Sequence, residues 1–261
     1  MISSTQSQQM KTVSALQKKG KTRKEQGLFV VEGLKMFLEA PKDLISKVYV
    51  SQSFLLEEAG QRALEGRRYE IVTDEVFRAV SDTQTPQGIL ALVRQPSYEL
   101  AQVLASAAPP QLVFLESIQD PGNLGTILRA GEGAGVTGVI MNRTTVDIFN
   151  PKVIRSTMGS IYRMPFVCVD SLQEAALEAK KAGIRLYAAH LKGARNYDEE
   201  NYEGPCGFLI GNEANGLTDE AARLADTYIK IPMAGQVESL NAAIACSVLN
   251  FEAARQRRKR R

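Results

Sequence analysis

From Leu28 to Val93 short apolar runs alternate with amphipathic stretches: LFVVEGLKMFLEA, ISKVYVS, FLLEEAGQRALEG, YEIVTDEVFRAVS and GILALVRQ follow one another. Short apolar runs bounded by turn residues read as buried strands, and longer stretches with a 3.6-residue period read as helices. A small α/β unit is therefore expected here. A second alternation starts at Leu112. LVFLES, TGVIM, PFVCV, IRLYAAH, GFLIG and YIKIPM read as strands; NLGTILRAGEGAG, NPKVIRSTMGS, SLQEAALEAKKAG, LTDEAARLA and a last segment from about Leu240 to Arg255 read as helices. Such alternation predicts a mainly parallel sheet covered on both faces. In the last helix Leu240, Ile244, Val248 and Phe251 are expected on the core side. Between the halves, QPSYELAQVLASAAPPQ ends in Pro109-Pro110, which cannot continue a helix. Residues 96–110 are thus expected to link a domain over 1–95 to one over 111–261.

The chain has 261 residues, enough for one large domain or two smaller ones, and its composition is that of an ordinary globular protein. No apolar run reaches the roughly 18 residues of a membrane span, and the N-terminus lacks the apolar stretch of a secretory leader. The cytoplasm is the expected compartment, with no membrane partner. Cys168, Cys206 and Cys246 form neither a CxxC pair nor an even disulfide set, and with His190 alone they give no zinc site of the usual spacing. They read as small buried hydrophobes, His190 as a structural residue at a strand end, and no metal is expected.

Charge adds an asymmetry. Twelve of the 32 basic residues lie in 1–24 and 255–261, where no acid stands, so the stretch between carries a net −9. Basic runs concentrate cations where phosphates displace counterions. The N-terminal run KKGKTRKEQ leads straight into an apolar segment, so Lys21, Arg23 and Lys24 are expected to touch RNA. The C-terminal RQRRKRR is either a second contact or a solvated tail.

Ligands of parallel α/β sheets bind beyond the carboxyl ends of the strands. The glycines Gly131, Gly133 and Gly135 end a helix and precede a strand, the reverse of a dinucleotide fingerprint, so they read as a helix stop. Three loops that follow strands are richer. In the first, Gln119 to Arg129, Asn123 is a candidate cap of the next helix, and Arg129 lies off its apolar stripe. Arg129 either points along the end of the sheet or pairs with Glu132. In the second, Leu209 to Leu217, Gly211 and Gly216 permit a sharp turn that presents Glu213, to a ligand or to water. In the third, Ile231 to Asn241, Ser239 is a candidate helix cap, and the apolar, turn-rich IPMAG offers main-chain groups and a greasy wall to a flat heterocycle.

With NLGTILR at 123–129, IGNEANGL at 210–217 and IPMAGQVESLNAAIA at 231–245, in that order, the chain resembles the SpoU family of RNA 2′-O-ribose methyltransferases of the SPOUT superfamily. RKEQGLFVVEG at 23–33 is similar to an L30e-like substrate-binding domain. The resemblance implies a mainly parallel sheet with a C-terminal deep trefoil knot, a homodimer, and S-adenosylmethionine as cofactor, bound by Gly211, Ile231 and Leu240 with Leu209, Met233 and Gly235 beside them. It places Asn123, Arg129, Glu213, Ser239 and Asn241 where the ribose enters, with Arg129 also on RNA. Ribosomal RNA is the expected substrate, transfer RNA the alternative, and a catalytically silent RNA-binding protein the rival of another class.

The chemistry is consistent with that set. In-line methyl transfer draws much of its acceleration from positioning, and a ribose hydroxyl needs its proton removed or its developing charge stabilised. An arginine with a pKa above about 12 is a poor proton acceptor. Arg129 is therefore expected to stabilise the alkoxide and hold a phosphate, with Glu213 as the alternative acceptor.

Overall fold

The computed structural model describes residues 1–105, 109–190, 193 and 195–259, the last without its side chain. The chain forms two units, one of Met1–Pro96 with Asp147–Tyr162, the other of Ser97–Val146 with Arg163–Arg261. In chain order the elements are α1 (Gln8–Lys18), α2 (Gly20–Gln26), β1 (Leu28–Glu32), α3 (Leu34–Glu39), β2 (Ile45–Ser51), α4 (Glu58–Leu64), β3 (Glu70–Val72), α5 (Asp74–Val80) and β4 (Ile89–Arg94). There follow α6 (Leu100–Leu104), β5 (Gln111–Leu115), α7 (Pro121–Ala134), β6 (Gly138–Asn142), α8 (Pro151–Thr157), β7 (Phe166–Val169), α9 (Leu172–Lys181) and β8 (Arg185–Ala189). The last are β9 (Arg195–Asn196), β10 (Cys206–Ile210), α10 (Asp219–Ala222), β11 (Thr227–Lys230) and α11 (Ala242–Lys259).

The first unit holds a four-stranded sheet, β1-β4-β2-β3, antiparallel but for the β2/β3 pair. Its basic N-terminal run is not a loose arm. Ser7 caps α1, whose Met10, Val13 and Leu16 are fully buried against Val30, Tyr49, Val72 and Phe77. Burying each such side chain stabilises by roughly 1.5–3 kcal/mol, so α1 belongs to the core. Arg23, expected at RNA, is only 4% exposed. One terminal nitrogen donates to the carbonyls of Leu16 (2.6 Å) and Gln17 (3.0 Å), and Nε donates to Asp147 (2.8 Å). A buried guanidinium needs such partners because an unpaired buried charge is costly. Lys21 and Lys24 are exposed, as are Lys11, Lys18 and Lys19.

The second unit is a seven-stranded sheet of order β7-β6-β5-β10-β8-β11-β9, parallel at every pairing. Its central strands, QLVFL in β5 and CGFLI in β10, are buried at every position, as a sheet covered on both faces requires. The stretch 96–110, expected as a linker, instead carries α6, closed by a capping box between Glu99 and Gln102. Val103 of α6 packs so closely on β6 that a Cβ at Gly138 would stand 2.4 Å from it. Residues 106–108 of that stretch lie outside the described residues.

The last helix also departs from expectation. Its buried positions are Ala242, Ala243, Cys246, Leu249, Asn250 and Ala253, whereas Ile244 is 53% and Phe251 45% exposed. Small residues let α11 lie close against α7, and the buried Gln111 and Asn250 satisfy each other across the fold at 2.9 Å. In the basic tail, Arg255 pairs with Glu252, and Arg257 donates to the carbonyls of Tyr202, Pro109, Pro110 and Gly204. The side chain of Lys259 and residues Arg260 and Arg261 lie outside the described residues. Cys206 and Cys246 are buried and their thiols pushed up, to about 11 and about 12, chiefly by burial, but Cys168 is exposed. His190 follows β8 and its ring lies 5.4 Å from that of Tyr228. No described helix is long and apolar enough to cross a membrane, and the described residues contain no group of three metal-binding side chains.

Candidate active site

Three loops leave the carboxyl ends of β5, β10 and β11. The chain runs from β5 outward through β6 and β7, crosses to β8, and returns to insert β10 beside β5. Such a reversal opens a crevice at the strand ends.

The first loop ends where Asp120 caps α7, its side chain accepting from the Asn123 amide at 2.8 Å with Pro121 at the first helical position. The cap is therefore Asp120, not Asn123. Asp-Pro at a strand exit is the sequence signal for this start. Asn123 is freed to project its carboxamide, and it does so toward Glu213. Oε1 of Glu213 accepts from Asn123 Nδ2 (3.0 Å) and from the Asp120 amide (3.1 Å), and Oε2 accepts from the Gln119 amide (3.1 Å). Burial pushes this carboxyl up, but the hydrogen bonds from Asn123, Gln119, Asp120 and its own amide outweigh that and hold it below its ordinary value. Glu213 is an ionised anchor, and a weaker base for it.

The second loop is self-supporting. Asn212 and Gly216 exchange main-chain hydrogen bonds at 3.0 and 2.8 Å, and Asn212 Oδ1 accepts from the amides of Ala214 and Asn215. A Cβ at Gly211 would lie 2.1 Å from the backbone of Gly216 and Leu217, so only glycine fits. Glu116 closes the far end by accepting from the amide and hydroxyl of Thr218, both at 2.8 Å.

The third loop joins the others through one side chain. Asn241 Nδ2 donates to Asn123 Oδ1 at 2.9 Å, and its own Oδ1 accepts from the amides of Ala243 and Ile244. Asn241 is thus the N-cap of α11, the role expected of Ser239, which is exposed and makes no hydrogen bond among the described residues. Asn can fill this role as well as Ser. A chain Glu213–Asn123–Asn241 therefore ties all three loops. From Met233 to Leu240 no main-chain group is hydrogen-bonded within the described residues. This run of open donors and acceptors, with Ile231, Met233 and Leu240 half-buried beside it and nothing within 4 Å of a Cβ at Gly235, fits the edge and face of an adenine.

Two expected residues stand apart. Leu209 is fully buried in the core of the sheet, among Leu112, Phe114 and Ala188, so it supports the loop without lining it. Arg129 lies on α7 almost two turns beyond Asn123, exposed and without an ion pair among the described residues. Glu132, its alternative partner, pairs with Arg163 instead.

A parallel α/β sheet with loops at a reversal of strand order, tied by a carboxylate and two carboxamides, is the arrangement of an α/β domain that takes a ligand at the carboxyl ends of its strands. Residues 110–251 match the profile of the SpoU rRNA Methylase family, and residues 7–91 that of the MRM3-like substrate binding domain. The chain belongs to the SpoU rRNA methylase family. It is 29% identical over 252 residues, 96% of this chain and 97% of the other, to the 23S rRNA (guanosine(2553)-2′-O)-methyltransferase RlmP of Bacillus subtilis. Among solved structures it is similar to the SpoU methyltransferase AviRb of Streptomyces viridochromogenes in complex with AdoMet (TM-score 0.86, 27% identity, 96% and 98% of the chains). It is also similar to an AdoMet-bound rRNA methyltransferase of Sinorhizobium meliloti (TM-score 0.84, 31% identity, 97% of each chain).

Proposed function

We propose that this chain transfers a methyl group from S-adenosylmethionine to a ribose 2′-oxygen of 23S ribosomal RNA. The observation that carries the reading is the Glu213–Asn123–Asn241 chain, which joins the three loops bearing the family's motifs. Bound S-adenosylmethionine supplies an electrophilic methyl on a sulfonium. The open main chain of 233–240 and the turn at Gly211 hold the adenosine. Glu213 stays ionised and fixes Asn123, while Asn241 fixes the other end of the same carboxamide. Arg129, exposed, stabilises the developing alkoxide and holds the neighbouring phosphate through its guanidinium donors. RNA phosphates meet Lys11, Lys18, Lys19, Lys21 and Lys24.

The exposed Ile244 and Phe251 on α11 support pairing of two copies, since exposed apolar side chains clustered on one helix mark interaction surfaces. The return of α11 onto α7 supports a knotted C-terminal path, the first unit is read as an L30e-like substrate-binding domain, and the cytoplasm is the compartment.

Mapping 2′-O-methyl marks in RNA from cells with and without this chain tests the reading: one missing mark in 23S RNA is expected, and an unchanged ribosomal map with a mark missing from tRNA replaces the substrate. In single-turnover methylation at saturating RNA, Arg129→Lys is expected to lose about 10²-fold, in the range of a removed oxyanion donor. Full rate in that variant discards the role given to Arg129. Changing Lys11, Lys18, Lys19, Lys21 and Lys24 to alanine is expected to flatten the slope of log RNA affinity against log salt, by up to about 0.9 for each phosphate no longer neutralised; an unchanged slope places the RNA on another face.

A further inference from the structure

Ser117, two residues beyond β5, has φ of +57°, a left-handed backbone that a serine adopts only when its surroundings impose it. The neighbouring strand imposes it. The Ser117 amide donates to Asn142 Oδ1 at 2.9 Å, and Asn142 Nδ2 donates to Ser117 Oγ at 3.2 Å. The Ser117 hydroxyl also meets that of Thr144 at 2.6 Å. Asn142 is the last residue of β6, the neighbour of β5 on the side away from β10. It belongs to none of the three motifs.

The strained turn has an output on the other side. With Ser117 in this conformation its carbonyl accepts from Asn212 Nδ2 at 2.8 Å and from Gln119 Nε2 at 3.2 Å. Asn212 is the residue whose Oδ1 shapes the loop at 212–216, and Glu213 follows it. An amide side chain on β6 thereby reaches across β5 to the loop after β10, through one carbonyl aimed by one unusual φ. We propose that Asn142 is a positioning residue for the cofactor loop: by holding Ser117 left-handed, it aims the Ser117 carbonyl at Asn212 and keeps the 211–217 turn shaped for S-adenosylmethionine. This rests on the reading of that turn as part of the cofactor site.

The test is calorimetric titration of the full chain with S-adenosylmethionine, beside RNA affinity from filter binding. Asn142→Ala is expected to weaken the cofactor about tenfold while RNA affinity stays within about twofold. Asn142→Asp, which keeps the acceptor for the Ser117 amide, is expected to restore most of the affinity. The double variant Asn142→Ala/Ser117→Gly is expected to recover affinity as well, because glycine takes a positive φ without help. A role confined to stability would show no such rescue, and melting curves on all variants keep a folding defect visible. Unchanged cofactor affinity in Asn142→Ala overturns the proposal, as does a double variant no better than the single one, or RNA affinity falling as far as cofactor affinity. If the unaltered chain takes up no S-adenosylmethionine, the functional reading itself fails and takes this inference with it.

Discussion

The loops at 210–217 and 231–241 border the same crevice and are built in opposite ways. The first is closed upon itself by hydrogen bonds between Asn212 and Gly216, pinned by Glu116 at its far end and occupied by a carboxylate that accepts from three neighbours. The second has one fixed point, Asn241, and a run of main-chain groups that nothing within the described residues satisfies. A ligand site needs both kinds of surface. Rigid groups fix orientation at no cost at the moment of binding, and open main-chain groups supply hydrogen bonds that the protein has not already spent on itself. On the proposed function, the 210–217 turn would orient the cofactor and the 231–241 segment would supply affinity for its heterocycle.

Glycine substitutions break the comparison most sharply. Gly211→Ala drives a Cβ against backbone at 2.1 Å, so it must shift the turn, and a cost of about 4 kcal/mol or more is expected. Cofactor binding should vanish in calorimetry. Gly235→Ala meets nothing within 4 Å; its stability should stay within about 0.5 kcal/mol, with any loss confined to cofactor affinity. Equal effects in the two variants would erase the distinction. Next in size is Glu213→Gln. It keeps the shape but turns one acceptor oxygen into an NH2 donor that faces a main-chain amide, and it weakens the remaining charge-assisted hydrogen bonds, worth about 1.5–3 kcal/mol, so the single-turnover rate should fall about 10- to 100-fold. Asn241→Ala removes a cap worth about 1 kcal/mol and frees the Asn123 carboxamide; a smaller fall in the same rate with a lowered Tm is expected.

Much of this architecture is legible from pattern, and what is not has physical reasons. The fully buried strands β5 and β10 declare themselves as unbroken apolar runs, since parallel strands covered on both faces have no polar side to show. The partners of Glu213 lie about ninety residues away in the chain, where spacing arguments do not reach. Arg23 misleads because a charge sum treats arginine and lysine alike, whereas only the guanidinium fork can serve two carbonyls and a carboxylate together in a buried place. On α11 the small residues Ala242, Ala243, Cys246 and Ala253 lie buried with Leu249, whereas Ile244 is exposed and Phe251, half out in solvent, reaches only the edge of α7 at Gly133. Ser239 and Asn241 are both good caps two positions apart, and only the fold decides between them.

The smallest effect comes from protons. Glu213 titrates below its ordinary value in the folded chain, so its contribution to loop order is complete above the unfolded value of about 4.3 and is lost as pH falls through the depressed folded value. Cofactor affinity should therefore be flat from pH 8 down to about 5 and weaken only below that. The weakening should be carried by the 210–217 turn alone, because Met233–Leu240 contains a single carboxylate, Glu238, which makes no hydrogen bond or ion pair among the described residues. Glu213→Gln, already lacking the charge, should show no acid limb at all. At moderately low pH the protection of the Ala214 and Asn215 amides against exchange, relative to the intrinsic rate at each pH, should fall, and that at 234–240 should stay where it was. An acid limb that persists in Glu213→Gln, or faster exchange in both loops together, would mean that the two segments yield as one and that the division of labour between them is wrong.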